Sequence, residues 1–352
     1  MKGSPLGIGT IIGCAFCDLY ALRPSYERLP YCGASNALEG QESISSVLGP
    51  MSNSLSAVKI FTKAIIDGKP WEKDPLAIRK EWSEKEYQLS EHGGKGVNLC
   101  FAIIWDNGVV KPHPPLIRAM QMTKDALEAA GHEGEPKLAN EIRLGANSAK
   151  KPSYGGEDFR IECEKSGKPL ITTMGPSEGA HNGALDEPFM KALVGEPRHH
   201  SAYELWQLHK EKRELRKSHL DYWESTIADT GTGRPVDAII SPAVAYPAVP
   251  HGTNTFSNEA DVQTYKDSFC TTLCNAMDYA CSSFPVTFVN PKIDKKPSQS
   301  HDDASPLTPI ISDDPKVFAG VPVVLQQIGR TLEEEGVIAM TEVVDGALKH
   351  RT

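Results

Sequence analysis

The chain has 352 residues, of which 39% are hydrophobic and 24% charged, a composition typical of a globular protein with a sizeable core. Its 37 basic and 46 acidic residues give a formal charge of −9 without a basic cluster, so we expect no nucleic-acid partner. The sequence has neither an apolar run long enough to span a bilayer nor a signal-peptide pattern. We therefore expect no membrane association and a cytoplasmic location.

Helical and strand patterns alternate along the chain, and the predicted elements fall into two groups. The predicted helices cover residues 52–65, 114–131, 201–227, 265–282 and a last one that begins in a capping box, Thr331 to Glu334, and ends near 348. The predicted strands cover residues 97–105, 236–241, 284–289 and 321–329. This alternation predicts an α/β fold with a mostly parallel or mixed central sheet.

Two regions show no hydrophobic periodicity. Residues 132–156 and 291–316 are rich in turn-forming and polar residues, and we expect irregular loops there.

The long helix over 201–227 places its apolar residues on one face, and we expect that face to be buried. The stripe consists of Leu205, Leu208, Leu215, Tyr222 and Ile227.

Eight cysteines are dispersed along the chain, which favours free thiols in a reducing compartment over a disulfide framework. Cys14 and Cys17 have the C-x-x-C spacing of redox and half-zinc sites, but no second pair follows them, so we expect neither function. The spacing of Cys270, Cys274 and Cys281 predicts that these three lie on the buried face of one helix.

The segment from Gly3 to Gly13 contains four glycines, and it is the part of the sequence that points most clearly to chemistry. Glycines allow the backbone to approach a ligand closely and to direct several N–H groups at one point, as a phosphate or a developing oxyanion requires. The spacing from Gly9 to the next glycine is one residue too long for a dinucleotide fingerprint. Nucleotide binding is therefore the least favoured of the functions that this segment allows.

Several ordered blocks resemble the amidase signature family, most closely its fungal acetamidase-like branch. The blocks begin with residues 3–13 and 15–25 and include 46–52, 105–108, 240–242, 320–322, 325–326 and 329–330. The resemblance implies one mixed sheet flanked by helices, with residues 1–352 forming a partial, C-terminal portion of the domain. It also implies hydrolysis of small carboxylic amides without a cofactor, by a triad of two serines and a lysine.

The sequence departs from the family where that chemistry is concentrated. After Gly13 the chain passes directly to Cys14, without the stretch that holds the second glycine, the nucleophilic serine and the arginine of the family pattern. The resemblance places the relay serine and the lysine before Met1. We therefore predict no catalytic residue, with Gly9, Thr10, Ile12 and Gly13 as the remnant of an oxyanion loop.

Two hypotheses follow besides nucleotide binding: an amidase whose sequence is incomplete, and an amidase-fold pseudoenzyme that binds small amides or has lost its function. In both, the chain alone is predicted to be catalytically inactive. We expect exposed strand edges to make it self-associate.

Other residues were considered as substitutes for the triad. Lys2 and Ser4 lie in an N-terminal segment where nothing desolvates the lysine, and no His or Lys is placed by sequence to activate Cys14. Structural roles are predicted for the remaining candidates. They are Ser25 in a turn, His113 beside a helix cap, Arg330 at a strand-to-helix junction, and His199, His200, His209 and His219 as solvated side chains.

Overall fold

The computed structural model describes residues 7–8, 11–34, 40, 42–105, 107, 110–134, 161, 164–167, 201–249, 270–295 and 314–350. Within them the chain forms one eight-stranded mixed sheet with the strand order β1-β3-β2-β7-β8-β6-β4-β5. The strands are β1 (Gly7–Ile8), β2 (Tyr20–Arg23), β3 (Pro50–Ser52), β4 (Cys100–Ile103), β5 (Glu133–Gly134), β6 (Ala238–Pro242), β7 (Cys281–Phe288) and β8 (Pro322–Ile328). The predicted mixed α/β architecture is thus confirmed.

Parallel pairing is confined to one end of the sheet. There β4 runs parallel to both β5 and β6, whereas every other neighbouring pair is antiparallel. The predicted strands at 97–105 and 321–329 correspond to β4 and β8, each shorter at its ends than predicted. The pair β7–β8 is the longest, with a register shift between Pro285 and Thr287.

The helices are α1 (Ile11–Phe16), α2 (Leu55–Asp67), α3 (Glu84–Tyr87), α4 (Pro114–Ala129), α5 (Ala202–Ser225), α6 (Thr271–Met277) and α7 (Glu334–His350). The prediction for α4 is confirmed, because Pro114 begins the helix and Gly131 follows its end with a φ of +86°. In α5, Ser201 and Glu204 form a complete capping box. None of the described helices is long and apolar enough to cross a membrane.

Helices cover both faces of the sheet, and successive strand residues alternate between them. Phe101 and Ile103 of β4 face a core that includes residues of α2, α3, α4 and α7, which we call the α4 face. Cys100 and Ala102 face a second core that includes residues of α1, α5 and α6, which we call the α1 face. The molecule therefore has three layers, and the strand pattern CFAI is buried throughout because both of its sides are covered.

Three sequence-based predictions are wrong at the ends of elements. The helix predicted over 265–282 ends at Met277 within the described residues, so Cys281 is the first residue of β7 and not part of a helix face. Cys274 and Cys281 are nevertheless both buried, as expected of small core residues. Ile227 lies beyond α5 and is 49% exposed, because the chain there enters a short 3-10 turn.

The third wrong prediction concerns the start of α7. The Glu334 carboxylate does not turn back to Thr331 but accepts a hydrogen bond from the backbone N–H of Ser25 at 2.7 Å. Glu333 instead accepts from the backbone N–H of Arg330 at 2.9 Å. Glu333 therefore makes the backbone contact that the capping-box motif assigns to Glu334, one residue earlier in the chain.

Both predicted irregular regions lie mostly outside the described residues. In the first, Glu133 and Gly134 form β5, so its beginning is a strand and not a loop. Pairing with Cys100 and Phe101 of β4 accounts for this, because a sheet edge can order a short segment that has no apolar pattern of its own.

Candidate functional site

The described part of the glycine segment, residues 7–8 and 11–13, lies at one edge of the sheet. Gly7 and Ile8 form β1, which pairs antiparallel with Met51 and Pro50 of β3, and the chain then enters α1. A short antiparallel strand does not provide the parallel strand, turn and helix of a dinucleotide fold. The geometry of this edge therefore gives the nucleotide-binding hypothesis no support.

The predicted oxyanion-loop residues fall at the beginning of α1. Gly9 and Thr10 lie outside the described residues, whereas Ile12 and Gly13 belong to the first turn of the helix. The first backbone N–H groups of a helix have no acceptor within it and point back along its axis. The assignment of these residues to an oxyanion loop stays a prediction, and their position in the first turn is compatible with it.

Cys14 anchors α1 to the sheet instead of facing a substrate. Its side chain is fully buried on the α1 face, and its backbone carbonyl accepts hydrogen bonds from Cys17 at 3.1 Å and Leu19 at 3.2 Å. Burial, together with the nearby Cys17, raises the pKa of the Cys14 thiol to about 12. The thiol is therefore protonated near neutral pH and is a poor nucleophile.

A buried polar network joins the three central strands beside this helix. The Gln326 amide donates hydrogen bonds to Ser241 Oγ at 2.9 Å and to the carbonyl of Pro242 at 3.1 Å. Cys281 Sγ lies 3.4 Å from Gln326 Oε1 and donates to it. Ser241 in turn donates to the Pro242 carbonyl at 3.1 Å, so its hydroxyl is a fixed structural group and not a free nucleophile.

Aromatic rings connect α1 to the segment that follows β6. The Phe16 and Tyr246 ring centroids are 6.1 Å apart, Tyr246 and His113 are 6.3 Å apart, and His113 and Phe318 are 5.8 Å apart. His113 is itself the N-cap residue of α4, and its backbone N–H donates to Ala245 at 2.8 Å. These rings and the Gln326 network fix the structural surroundings of α1.

His219 contradicts the prediction of a solvated side chain. It is 5% exposed, its Nδ1 lies 2.9 Å from the Tyr279 hydroxyl, and its ring packs near Trp223. Burial lowers the pKa of His219 to about 4. The sequence contained evidence for this burial. His219 follows Leu215 by four residues and precedes Tyr222 by three, so helical spacing places it on the same half-buried stripe of α5.

The other histidines fall into two groups. His209 is half-buried on α5, so it too is less solvated than predicted. His199 and His200 lie outside the described residues, as do Lys2 and Ser4.

Ser25 and Arg330 have the structural roles predicted for them. Ser25 Oγ accepts a hydrogen bond from the backbone N–H of Leu332 at 2.7 Å, which ties the turn after β2 to the start of α7. Arg330 lies between β8 and α7, pairs with Glu224 at 2.6 Å and stacks 5.4 Å from the Trp223 ring. Sequence reasoning missed the buried Arg28, which the same turn places against α7.

The half-buried Lys80 and Lys212 are not arranged as catalytic bases. Lys80 Nζ is 2.7 Å from a Glu86 carboxylate oxygen, and Lys212 Nζ donates to the backbone carbonyl of Ser43 at 2.6 Å. In the part of the chain that the structure describes, no group of three or more His, Cys, Asp or Glu side chains is placed to hold a metal ion.

Comparison with known proteins identifies the family. The model of the family "Amidase" matches residues 1–338. The chain is 31% identical to an acetamidase of Aspergillus oryzae and 32% identical to an acetamidase of Emericella nidulans, over 99% and 98% of its own length. It covers 61% and 59% of those relatives, so it spans about three fifths of the length of the curated relatives it matches.

Solved structures share the fold. A fatty acid amide hydrolase superposes with a TM-score of 0.74 at 24% identity, covering 98% of this chain and 56% of that one. A bacterial aryl acylamidase of the amidase signature family superposes with a TM-score of 0.58 at 14% identity, covering 96% and 59%. Because a family model matches nearly the whole sequence and enzymes of the same family share its fold, the chain belongs to the amidase family.

Proposed function

We propose that this chain carries the scaffold of a hydrolase that acts on small carboxylic amides, and that the sequence as it stands does not hydrolyse them. The similarity to fungal acetamidases supports the choice of small amides as the substrate class. The buried Cys14, at the point where the resemblance expects the nucleophile, supports the absence of hydrolysis. That single observation carries the proposal.

The chemistry of amide hydrolysis explains why Cys14 does not replace the serine. A nucleophile needs an exposed atom and a base, whereas Cys14 is inaccessible and, with a pKa of about 12, ionised in only about one molecule in 10⁵ at pH 7. Loss of the nucleophile and base together costs about 10⁶ in rate, or about 8 kcal/mol of barrier.

The test uses the purified chain with acetamide and an aryl amide, beside a fungal acetamidase as positive control. We expect no product above the buffer rate and no covalent labelling by a fluorophosphonate. A burst of product, or a labelled serine, would contradict the proposal. Fluorescence titration with acetamide then separates an amide-binding pseudoenzyme, which saturates, from a scaffold that has lost its ligand as well.

A gain-of-function experiment sharpens the same proposal. Inserting the family stretch with its serine between Gly13 and Cys14 alone is not expected to restore hydrolysis, because the new hydroxyl still lacks a base. Fusing the preceding segment of an acetamidase to the same variant is expected to restore it. Activity from the insertion alone would show that a base is already present in this chain.

Self-association is also part of the proposal. Tyr203 and Trp206 of α5 are 67% and 65% exposed, and such apolar surface favours contact between chains. We expect size-exclusion chromatography to give a species larger than a monomer, and a W206Q variant to elute later. A monodisperse wild-type monomer would contradict this expectation.

A further inference from the structure

A cavity of about 310 Å³ lies beside α5, and charges of both signs line it. Among the described residues, its basic side includes Lys212 and Arg216, and its acidic side includes Glu27, Glu42 and Asp278. Neither hydrolysis nor the glycine segment requires these residues. The charge partners of each side decide whether the cavity can accept a charged ligand.

The basic side carries positive charge that the protein does not balance. Lys212 and Arg216 are four residues apart on α5 and therefore share a face. The partner of Lys212 Nζ is a neutral backbone carbonyl, that of Ser43. Arg216 is half-buried and, within the described ranges, makes no hydrogen bond or ion pair. Burial, and then the charge of Arg216, lowers the pKa of Lys212, and the opposing effect of Asp278 does not cancel that shift.

Two lining residues, Arg23 and Asp278, pair with each other and with neighbouring groups of the protein, and we call them the floor of the cavity. Arg23 donates hydrogen bonds to Asn275 at 3.1 Å and to the Tyr279 carbonyl at 2.9 Å, and it pairs with Asp278 at 3.2 Å. Asp278 also accepts from the backbone N–H of Tyr26 at 2.9 Å. These contacts hold the floor rigid and leave Arg23 with little capacity for a ligand.

The acidic side of the cavity carries an excess of negative charge. Burial raises the pKa of Glu27, and the charges of Asp278, Asp74 and Glu42 raise it further. A hydrogen bond with the Tyr26 side chain lowers this pKa in part. The Glu27 backbone is fixed with a φ of +64°, and its carbonyl accepts from Ile78 at 2.7 Å. The side chain is thus held beside other acids by contacts made elsewhere.

We propose that this cavity binds a small zwitterion, between an amino acid and a dipeptide in size, with its carboxylate at Arg216 and Lys212 and its ammonium group at Glu27 and Glu42. A carboxylate matches the planar fork of a guanidinium, and a charge-assisted hydrogen bond is stronger than a neutral one. A ligand of one sign satisfies only one side, whereas a zwitterion satisfies both. The volume is at the lower end for ligand pockets, which suits a small molecule.

The test measures binding to the full chain by calorimetry, with glycine, β-alanine, γ-aminobutyrate and glycylglycine as zwitterions of increasing length. Acetate and ethylammonium carry the single charges. We expect at least one zwitterion to bind about tenfold or more tightly than either single-charge probe, since each end adds a charge-assisted contact. If acetate binds as tightly as every zwitterion, or if nothing binds, the proposal is wrong.

Variants assign the binding to this cavity. R216Q and E27Q are each expected to weaken the preferred zwitterion about tenfold, because each removes one ionic contact. R213Q makes the same charge change at an exposed position one turn away on α5 and is expected to leave affinity unchanged. If either cavity variant fails to fold, K212Q tests the basic side. Equal affinity in R213Q and R216Q would overturn the proposal.

Discussion

The two faces of the central sheet bury different kinds of side chain. On the α4 face, large apolar side chains such as Phe101 and Met120 fill the space between strands and helices, and charges are confined to its margin. The α1 face also has an apolar core, but it includes four cysteines and the pair His219–Tyr279. Both faces contain matched buried polar groups, such as Ser282 and Thr341 at 2.8 Å on the α4 face, so the clearest difference is the set of buried cysteines on the α1 face.

A single buried titratable group and a buried ion pair ionise differently. Burial raises the pKa of Cys14, Cys100 and Tyr279 to about 12 and lowers that of His219 to about 4, so all are neutral at pH 7. At the margin of the α4 face, by contrast, a charged Arg28 is retained between two glutamates. The comparison teaches that burial without a partner charge favours the neutral form, whereas a buried charge needs an opposite one.

Adjacent residues of β4 give the largest expected contrast. F101A removes a fully buried ring from the α4 face and is expected to lower the free energy of unfolding by about 3–5 kcal/mol. C100A removes one sulfur from the α1 face and is expected to cost about 1 kcal/mol. Denaturant unfolding at pH 7 measures both. Equal losses would show that the two faces do not differ in packing as described.

Arg28 tests the charged margin of the α4 face. Its guanidinium is fully buried, 3.2 Å from Glu334 and 2.5 Å from Glu335. R28M leaves the buried Glu334 without its cation and Glu335 with only Lys80, at 3.6 Å, and we expect a loss of about 3–5 kcal/mol in the free energy of unfolding. Adding E334Q and E335Q to R28M is expected to recover part of that loss. A triple variant less stable than R28M would contradict this explanation.

His219 gives the α1 face a pH dependence. Because its pKa is about 4 in the folded protein and 6.5 when unperturbed, the unfolded chain binds the extra proton between these values. The neutral His219 contributes its full stabilisation above pH 6.5. As the pH falls to 4, this contribution is lost, which lowers the free energy of unfolding by about 3 kcal/mol. H219F is expected to be less stable at pH 7 but to lose less between pH 7 and pH 4.5. Parallel curves for the two proteins would contradict the lowered pKa.

Arg330 predicts the smallest effect, at the exposed rim of the α1 face. It combines a cation–π contact to Trp223 with an ion pair to Glu224, whose side chain is 52% exposed. We expect R330Q to cost about 1 kcal/mol and the loss to shrink in high salt. K217Q, which breaks an exposed i,i+4 pair with Asp221, is the control and is expected to cost less. A larger loss in K217Q would overturn the ranking.

Sequence patterns predicted local features better than contacts between distant segments. Pro114 and Gly131 bound α4 in the sequence as in the structure, because helix start and stop signals are local. His219, Cys281 and Glu334 were misplaced because their partners Tyr279, Gln326 and Ser25 come from distant parts of the chain. No local pattern records such a pairing.

For this protein the sequence by itself determined the α/β class, the family resemblance and the glycine segment, since apolar periodicity and ordered motifs are properties of the chain. Only the tertiary structure decided that Cys14 is buried and protonated and that, among the described residues, no anion pairs with Arg216. The tertiary structure also places Glu27 near the acidic side chains of Asp278, Asp74 and Glu42. The physical reason is that solvation and charge depend on which distant segments come together, and these terms fix whether a side chain is a reactive group, a structural one or part of a binding site.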